Sequence, residues 1–167
     1  VASDVPSQVT GLTAVPTINY TVDLTWSTPN ANGYAVSGYH IESSTDGGTT
    51  WTDLEANTAS TATTYAHINL STGVTYTYQV SAINTVGTGI ASTTVSSTAG
   101  DVPDAPVLTL SALPSNTIQS DWTIPANNGF AITTYQIERS ADAGTTWVPV
   151  TSVNANTFQD PNLTNSV

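Results

Sequence analysis

From Tyr20 to Trp26 the chain reads YTVDLTW, so Val22, Leu24 and Trp26 fall on one side of an extended backbone while Thr21, Asp23 and Thr25 fall on the other. The same period of two places Tyr39 with Ile41 in SGYHIES, and Tyr76 with Tyr78, Val80 and Ala82 in TYTYQVSAIN. This alternation predicts antiparallel strands, each with one apolar face and one wet face. About seven such runs, separated by Gly, Pro, Asn and Ser, lie between residues 4 and 98, which is the number and spacing of a β-sandwich. No window carries a sustained 3.6-residue apolar stripe, so the predicted fold class is all-β.

The pattern is written twice. Trp26 and Trp122 are 96 residues apart, and so are Trp51 and Trp147. A repeat of that length means two domains rather than turns of a solenoid. The stretch SSTAGDVPDAP combines small residues with two prolines and no strand pattern, which sets the boundary between a first domain at 1–98 and a second at 99–167. Pro103 and Pro106 restrict their own backbone and that of the residues before them, so end-to-end domains with limited bending are expected.

Charge narrows the function. Twelve acidic residues stand against a single basic one, Arg139, giving −11 with only 8% of residues charged. Nucleic-acid binding needs clustered Lys and Arg, and so does attraction to an anionic membrane, so neither partner is expected. The absence of cysteine removes disulfides and thiolate chemistry, leaving stability to the packed cores. No apolar run approaches the roughly 18 residues of a membrane span. The start VASDVPSQVT lacks the basic and apolar stretches of a secretion signal, as expected where a signal has been removed or a piece excised.

The order Pro6, Leu12, Trp26-x-x-Pro29, Gly38-Tyr39-x-Ile41, Leu70-x5-Tyr76, Tyr78-x-Val80-x-Ala82-x-Asn84 and Gly87-x-Gly89 resembles a fibronectin type III domain over its whole length. The resemblance implies two consecutive immunoglobulin-like sandwiches. It also implies that Tyr76, six residues after the E–F loop Leu70, is the tyrosine corner, its hydroxyl bonded back to that loop. The second domain repeats the likeness with Pro103, Trp122-x-x-Pro125, Tyr135-x-Ile137, Trp147 and Leu163. At the spacing of the first domain its corner tyrosine would stand two residues past Val167, so strands F and G are expected to be missing and the core side of Trp122 to lie open. Continuation of the natural protein through further copies accounts for this. So does a strand donated by a neighbouring subunit, although the 167 residues hold no spare strand for such an exchange.

Candidate chemistry is sparse. STDGGTTW at 44–51 returns as SADAGTTW at 140–147, and both fit the S-x-D-x-G-x-T-W Asp-box familiar from sialidases. One arginine cannot supply the several that a sialidase uses to clamp a carboxylate. The motif is therefore read as a C–C′ hairpin, with Asp46 and Asp142 accepting backbone N–H bonds and Trp51 and Trp147 covering the underside. His40 and His67 are the only histidines, and His40 alternates out of phase with inward Tyr39 and Ile41, which predicts a surface position rather than a metal ligand. Glu42 can face Asp53 or Glu55 across the hairpin, a carboxylate pair without the cleft that glycoside hydrolysis needs. No G-x-S-x-G elbow is present.

Asp101 and Asp104 flank the linker and are the candidates for a joint-stiffening calcium ion; no other cofactor is expected. Asn19, Asn69 and Asn162 begin N-x-S/T sequons, the last two just before Leu70 and Leu163 in the equivalent E–F loops, which predicts glycosylation. Tyr34 and Phe130 hold equivalent B–C loop places and are expected to fold inward and seal the sandwich end. These readings converge on a non-catalytic, secreted or cell-surface module of a prokaryotic adhesive or filament protein, acting as a stiff repeated spacer. Its expected partners are neighbouring copies, adjacent domains and glycans. The alternatives are spacer domains of a secreted carbohydrate-active enzyme and a filament subunit completed by donor-strand exchange.

Overall fold

A computed structural model describes residues 4–164 of the chain, all in strands, turns and loops, with no helix among them. It divides into two compact units, Val1–Val102 and Pro103–Val167. The division falls after Val102 rather than after Thr98, because the backbone up to Asp101 is bonded into the first unit. Ala99 is fully buried and exchanges backbone hydrogen bonds with the Gly73–Val74 turn, while Gly100 accepts the N–H of Tyr20.

The first unit is a sandwich of seven antiparallel strands: β1 (Thr10–Thr17), β2 (Thr21–Ser27), β3 (Gly38–Ser44), β4 (Thr52–Glu55), β5 (Thr64–His67), β6 (Thr75–Ile83) and β7 (Val95–Thr98). One sheet runs β1-β2-β5 and the other β4-β3-β6-β7. The alternation that predicts β2 is what buries it: Val22 and Leu24 are wholly enclosed and Trp26 nearly so, while Asp23 and Thr25 face water. Against them the second sheet sends Tyr39, Ile41, Tyr78, Val80 and Ala82, all fully buried. Trp26 meets Tyr39 edge to face at 5.0 Å, the geometry that aromatic quadrupoles prefer. Each of these larger side chains stabilises the unit by about 1.5–3 kcal/mol through removal from water.

The second unit has β8 (Leu108–Leu113), β9 (Thr117–Trp122), β10 (Tyr135–Arg139), β11 (Val148–Val153) and β12 (Thr157–Asp160). Its sheets are β12-β9-β8 and β10-β11, which repeat the pairings of β5-β2-β1 and β3-β4. Among the described residues no strand stands where β6 does, so β10 pairs on one edge only. The apolar layer between the sheets is consequently an open cleft of about 690 Å³ lined by Leu108, Leu110, Trp122, Ile137, Trp147 and Phe158.

Exposure is not shared evenly along that cleft. Leu108 and Leu110 are 57% and 59% exposed, whereas Leu12, the repeat counterpart of Leu108, is 7% exposed. Trp122 does not lie open as expected: it is 6% exposed, with Tyr135 edge-on at 5.3 Å. The Trp–Tyr pair is local to the two sheets that are present, so it closes without a further strand.

Candidate functional site

The two Asp-box hairpins are densely hydrogen-bonded in both units. In the first, Ser44 Oγ donates to Asp46 Oδ1 at 2.6 Å and accepts the N–H of Gly48 at 2.9 Å. The other carboxylate contacts come from downstream: the N–H groups of Thr49 and Thr50 reach Oδ1 at 2.9 Å each, and Thr50 Oγ1 reaches Oδ2 at 2.6 Å. Bonds from Ser44 and then Thr50 hold the Asp46 carboxyl well below the usual carboxylate range. Gly48 has φ of 93° and packs under the ring of Trp51, so a side chain there would be both strained and crowded.

The copy in the second unit reproduces the bonding. Ser140 Oγ donates to Asp142 Oδ1 at 2.8 Å and accepts Gly144 N–H at 2.8 Å, while Thr146 gives its N–H at 2.8 Å and its hydroxyl at 2.6 Å. Chiefly through the Thr146 hydroxyl, the Asp142 carboxyl is lowered to about 2. Trp147, by contrast with half-buried Trp51, is 59% exposed and covers little. The Ser and Thr donors here close a turn around each aspartate.

The two histidines have different settings. His67 projects inward from β5, half-buried, with Nδ1 3.2 Å from the hydroxyl of Tyr78 and its ring edge-on to Tyr76 and Tyr78. Burial lowers its pKa and raises that of Tyr78. Its β5 alternation with Tyr65 carries the signal for that inward position, but the choice of tyrosine partner depends on how the sheets stack.

His40 lies on the outer face of β3, where its Nε2 is 2.8 Å from Asp53 Oδ1 and its Nδ1 4.0 Å from Glu42 Oε2. Glu42 pairs with Asp53 across the β3–β4 ladder, while Glu55 stands opposite Ile41 beyond a register shift. Gln79 Nε2, from the facing position on β6, donates to Glu42 Oε2 at 2.7 Å. One ligand atom from each of His40, Glu42 and Asp53 lies within 4.8 Å of the others.

The remaining candidates are dispersed. The N–H of Ser71 donates to the hydroxyl of Tyr76 at 3.2 Å, joining the strand to the loop that carries buried Leu70. Asn19, Asn69 and Asn162 are exposed, each with φ near 60°. Asp101 belongs to the first unit and accepts the N–H groups of Asn19 and Val102. Asp104 belongs to the second and accepts the side-chain amide of Asn128. Tyr34 is 47% exposed and so does not seal the sandwich end, which departs from the expectation; Phe130 is half-buried. That end is instead closed by buried Asn84, whose amide donates to the carbonyls of Asp4 and Ala31 at 2.8 and 3.2 Å. Arg139 Nη1 binds both carboxylate oxygens of Asp160 at 3.0 and 2.9 Å, linking β10 to β12 across the two sheets of the second unit. No helix of the described residues is long and apolar enough to cross a membrane.

Comparison with known proteins agrees with this architecture. The family model for the fibronectin type III domain matches residues 7–98. The crystal structure of chicken CNTN1 FN1–FN3 domains has a TM-score of 0.56 at 20% identity, covering 96% of this chain and 59% of that one. A crystal structure of consecutive titin domains has a TM-score of 0.51 at 24% identity, covering 57% of this chain and 32% of that one. A Fn3-like protein from Clostridium thermocellum is 28% identical with a TM-score of 0.46, over 61% of this chain and 98% of that one. The chain thus spans about a third of the titin structure and about three-fifths of the CNTN1 structure.

Proposed function

We propose that this chain, which belongs to the fibronectin type III family, is a non-catalytic structural and adhesive module on the outside of a prokaryotic cell or filament, where repeated sandwiches act as stiff spacers. The observation that carries the reading is the recurrence of the same local structures at a 96-residue spacing, from the Trp26–Tyr39 and Trp122–Tyr135 pairs to the two Asp-box turns. A sandwich pattern repeated with its turns and its aromatic pair suits a protein that sets distance and presents surface. Modules of this family are generally non-catalytic, and the best-bonded carboxylates here are consumed in closing turns.

Outer exposure fits the chemistry of the surface. One cationic side chain in 167 residues offers trypsin-like proteases a single cleavage point, and the hydroxyl-rich faces hold water without lysine. The exposed Asn19, Asn69 and Asn162 are the positions at which glycans would sit. Partners on this reading are further modules of the same kind, in the same chain or in neighbouring copies. Protease shaving of intact source cells tests it: peptides of this chain are expected in the released fraction. Their retention inside unbroken cells would overturn the extracellular placement.

A second reading is favoured by one feature, the unpaired edge of β10 above the apolar cleft. In it the chain is a filament subunit whose second unit is closed by a strand supplied from a neighbour. Electron microscopy of the purified protein distinguishes the two, since donor-strand exchange builds filaments with a regular helical repeat and a spacer module does not.

A further inference from the structure

His40 and Glu42 are two residues apart on β3 and therefore share its outer face, while the intervening Ile41 and the preceding Tyr39 are fully buried on the inner one. Asp53 is brought to the same spot by the β3–β4 ladder, where it is the direct partner of Glu42. Two neighbours on one strand and one across the ladder thus converge from rigid backbone, with one ligand atom from each within 4.8 Å of the other two. Tetrahedral zinc with bonds of about 2.0–2.2 Å holds its ligands roughly 3.4 Å apart, so side-chain rotation of about an ångström is needed. The backbone can stay where it is.

One imidazole meets two carboxylates at this point. A neutral ring carries one N–H and one lone pair, and here one nitrogen faces Asp53 at 2.8 Å and the other faces Glu42 at 4.0 Å. In the neutral ring the nitrogen without a proton has a lone pair available to a metal ion. No lysine or arginine competes for the two carboxylates, because the chain has no lysine and its one arginine binds Asp160 in the second unit. A metal cation can take that lone pair together with an oxygen from each carboxylate.

We propose that His40, Glu42 and Asp53 bind one divalent first-row transition metal ion on the outer face of the four-stranded sheet, with water in the open coordination position. One imidazole with two carboxylates is a zinc-type donor set; calcium takes oxygen ligands alone and gains nothing from His40. Gln79 lies outside the three ligands and orients them: its donation to Glu42 Oε2 at 2.7 Å fixes that carboxylate from β6 and leaves Oε1 free to turn towards the ion. Bridging β3 to the four-residue edge strand β4 gives the ion a mechanical consequence, since β4 has no other sheet neighbour.

Isothermal titration of the full chain, stripped with chelator and titrated with zinc chloride at neutral pH, tests the site. One ion per chain is expected. His40→Ala and Asp53→Ala should each weaken binding at least ~10-fold, with a smaller loss for Gln79→Ala. The Asp101→Asn, Asp104→Asn double variant should bind as the parent does, and the ring signals of His40 but not of His67 should shift on adding zinc. Because His40 faces outward, its variant is expected to keep the parent unfolding midpoint; His40→Gln is a second variant that keeps a polar side chain. Absence of saturable binding at millimolar zinc, undiminished binding by either His40 variant, or equal competition by calcium would each overturn the proposal. None of these outcomes bears on the spacer reading, which rests on the fold.

Discussion

The backbone N–H of Ser71 donates to the hydroxyl of Tyr76 at 3.2 Å, so a strand residue of β6 holds the loop that delivered the chain to it. The ring of Tyr76 stays half-buried beside Tyr78 and His67, and only the hydroxyl contributes the bond. Tyr76→Phe therefore keeps the packing and deletes one acceptor. A loss of about 0.5–1.5 kcal/mol is expected from urea unfolding, with faster hydrogen exchange at Ser71. Unchanged exchange at that amide would mean that the loop is held by Leu70 alone.

Acid should open both hairpins only well below the usual carboxylate range. Both Asp46 and Asp142 have folded-state pKa values below their ordinary value of 3.8, so their contribution is complete above about 3.8 and fades as pH falls through the folded value. For Asp142 that value is about 2, and the Asp46 carboxyl is likewise held well below the usual carboxylate range, first by the Ser44 hydroxyl and then by Thr50. Amide resonances of Thr50 and Thr146 should consequently stay in place from neutral pH down to about 3.8 and move only below it. Movement of either amide centred at 3.8 or above would show that these bonds do not hold its carboxylate partner.

The half-buried His67 predicts a different pH dependence. Burial lowers its pKa beneath 6.5, so the folded state resists a proton that the unfolded chain accepts. Stability of the first unit should fall as pH drops from about 6.5 towards the folded value, then level off. His67→Gln should flatten that decline in denaturant midpoints measured across the same range. Parallel slopes for parent and variant would refute the assignment.

Two strand leucines, one in each unit, should have very different worth. Leu24 is fully buried, whereas Leu110 lines the open cleft at 59% exposure. Leu24→Ala is expected to cost about 2–5 kcal/mol through lost transfer energy and a cavity. Leu110→Ala should cost less than about 0.5 kcal/mol and should reduce binding of a hydrophobic dye. A large loss at Leu110 would indicate that the cleft is covered in solution.

What the sequence discloses and what it hides follows a physical line. Alternation within one strand is a local property, so the faces of Val22, Leu24, Trp26, Tyr39 and Ile41 follow from the order of residues alone. The Asp-box turns are equally local, every bond joining residues no more than four apart. The group formed by His40, Glu42 and Asp53 is only half visible in this way. Alternation gives the first two, but choosing Asp53 over Glu55 depends on a register shift between Ile41 and Glu42 that no period reveals. Ala99 falls on the wrong side of the boundary that composition suggests for a related reason, since its burial comes from a turn at Gly73–Val74 far away in the chain. The exposure of Tyr34 is hidden because Asn84 closes the end that an aromatic ring would otherwise cover.

Each Asp-box turn is wired wholly from within, and the second copy keeps its bonds although Trp147 stands in water. An eight-residue loop that needs nothing from the sandwich around it is a transferable part: spliced between the ends of an unrelated β-hairpin, it should impose the same reversal of direction there.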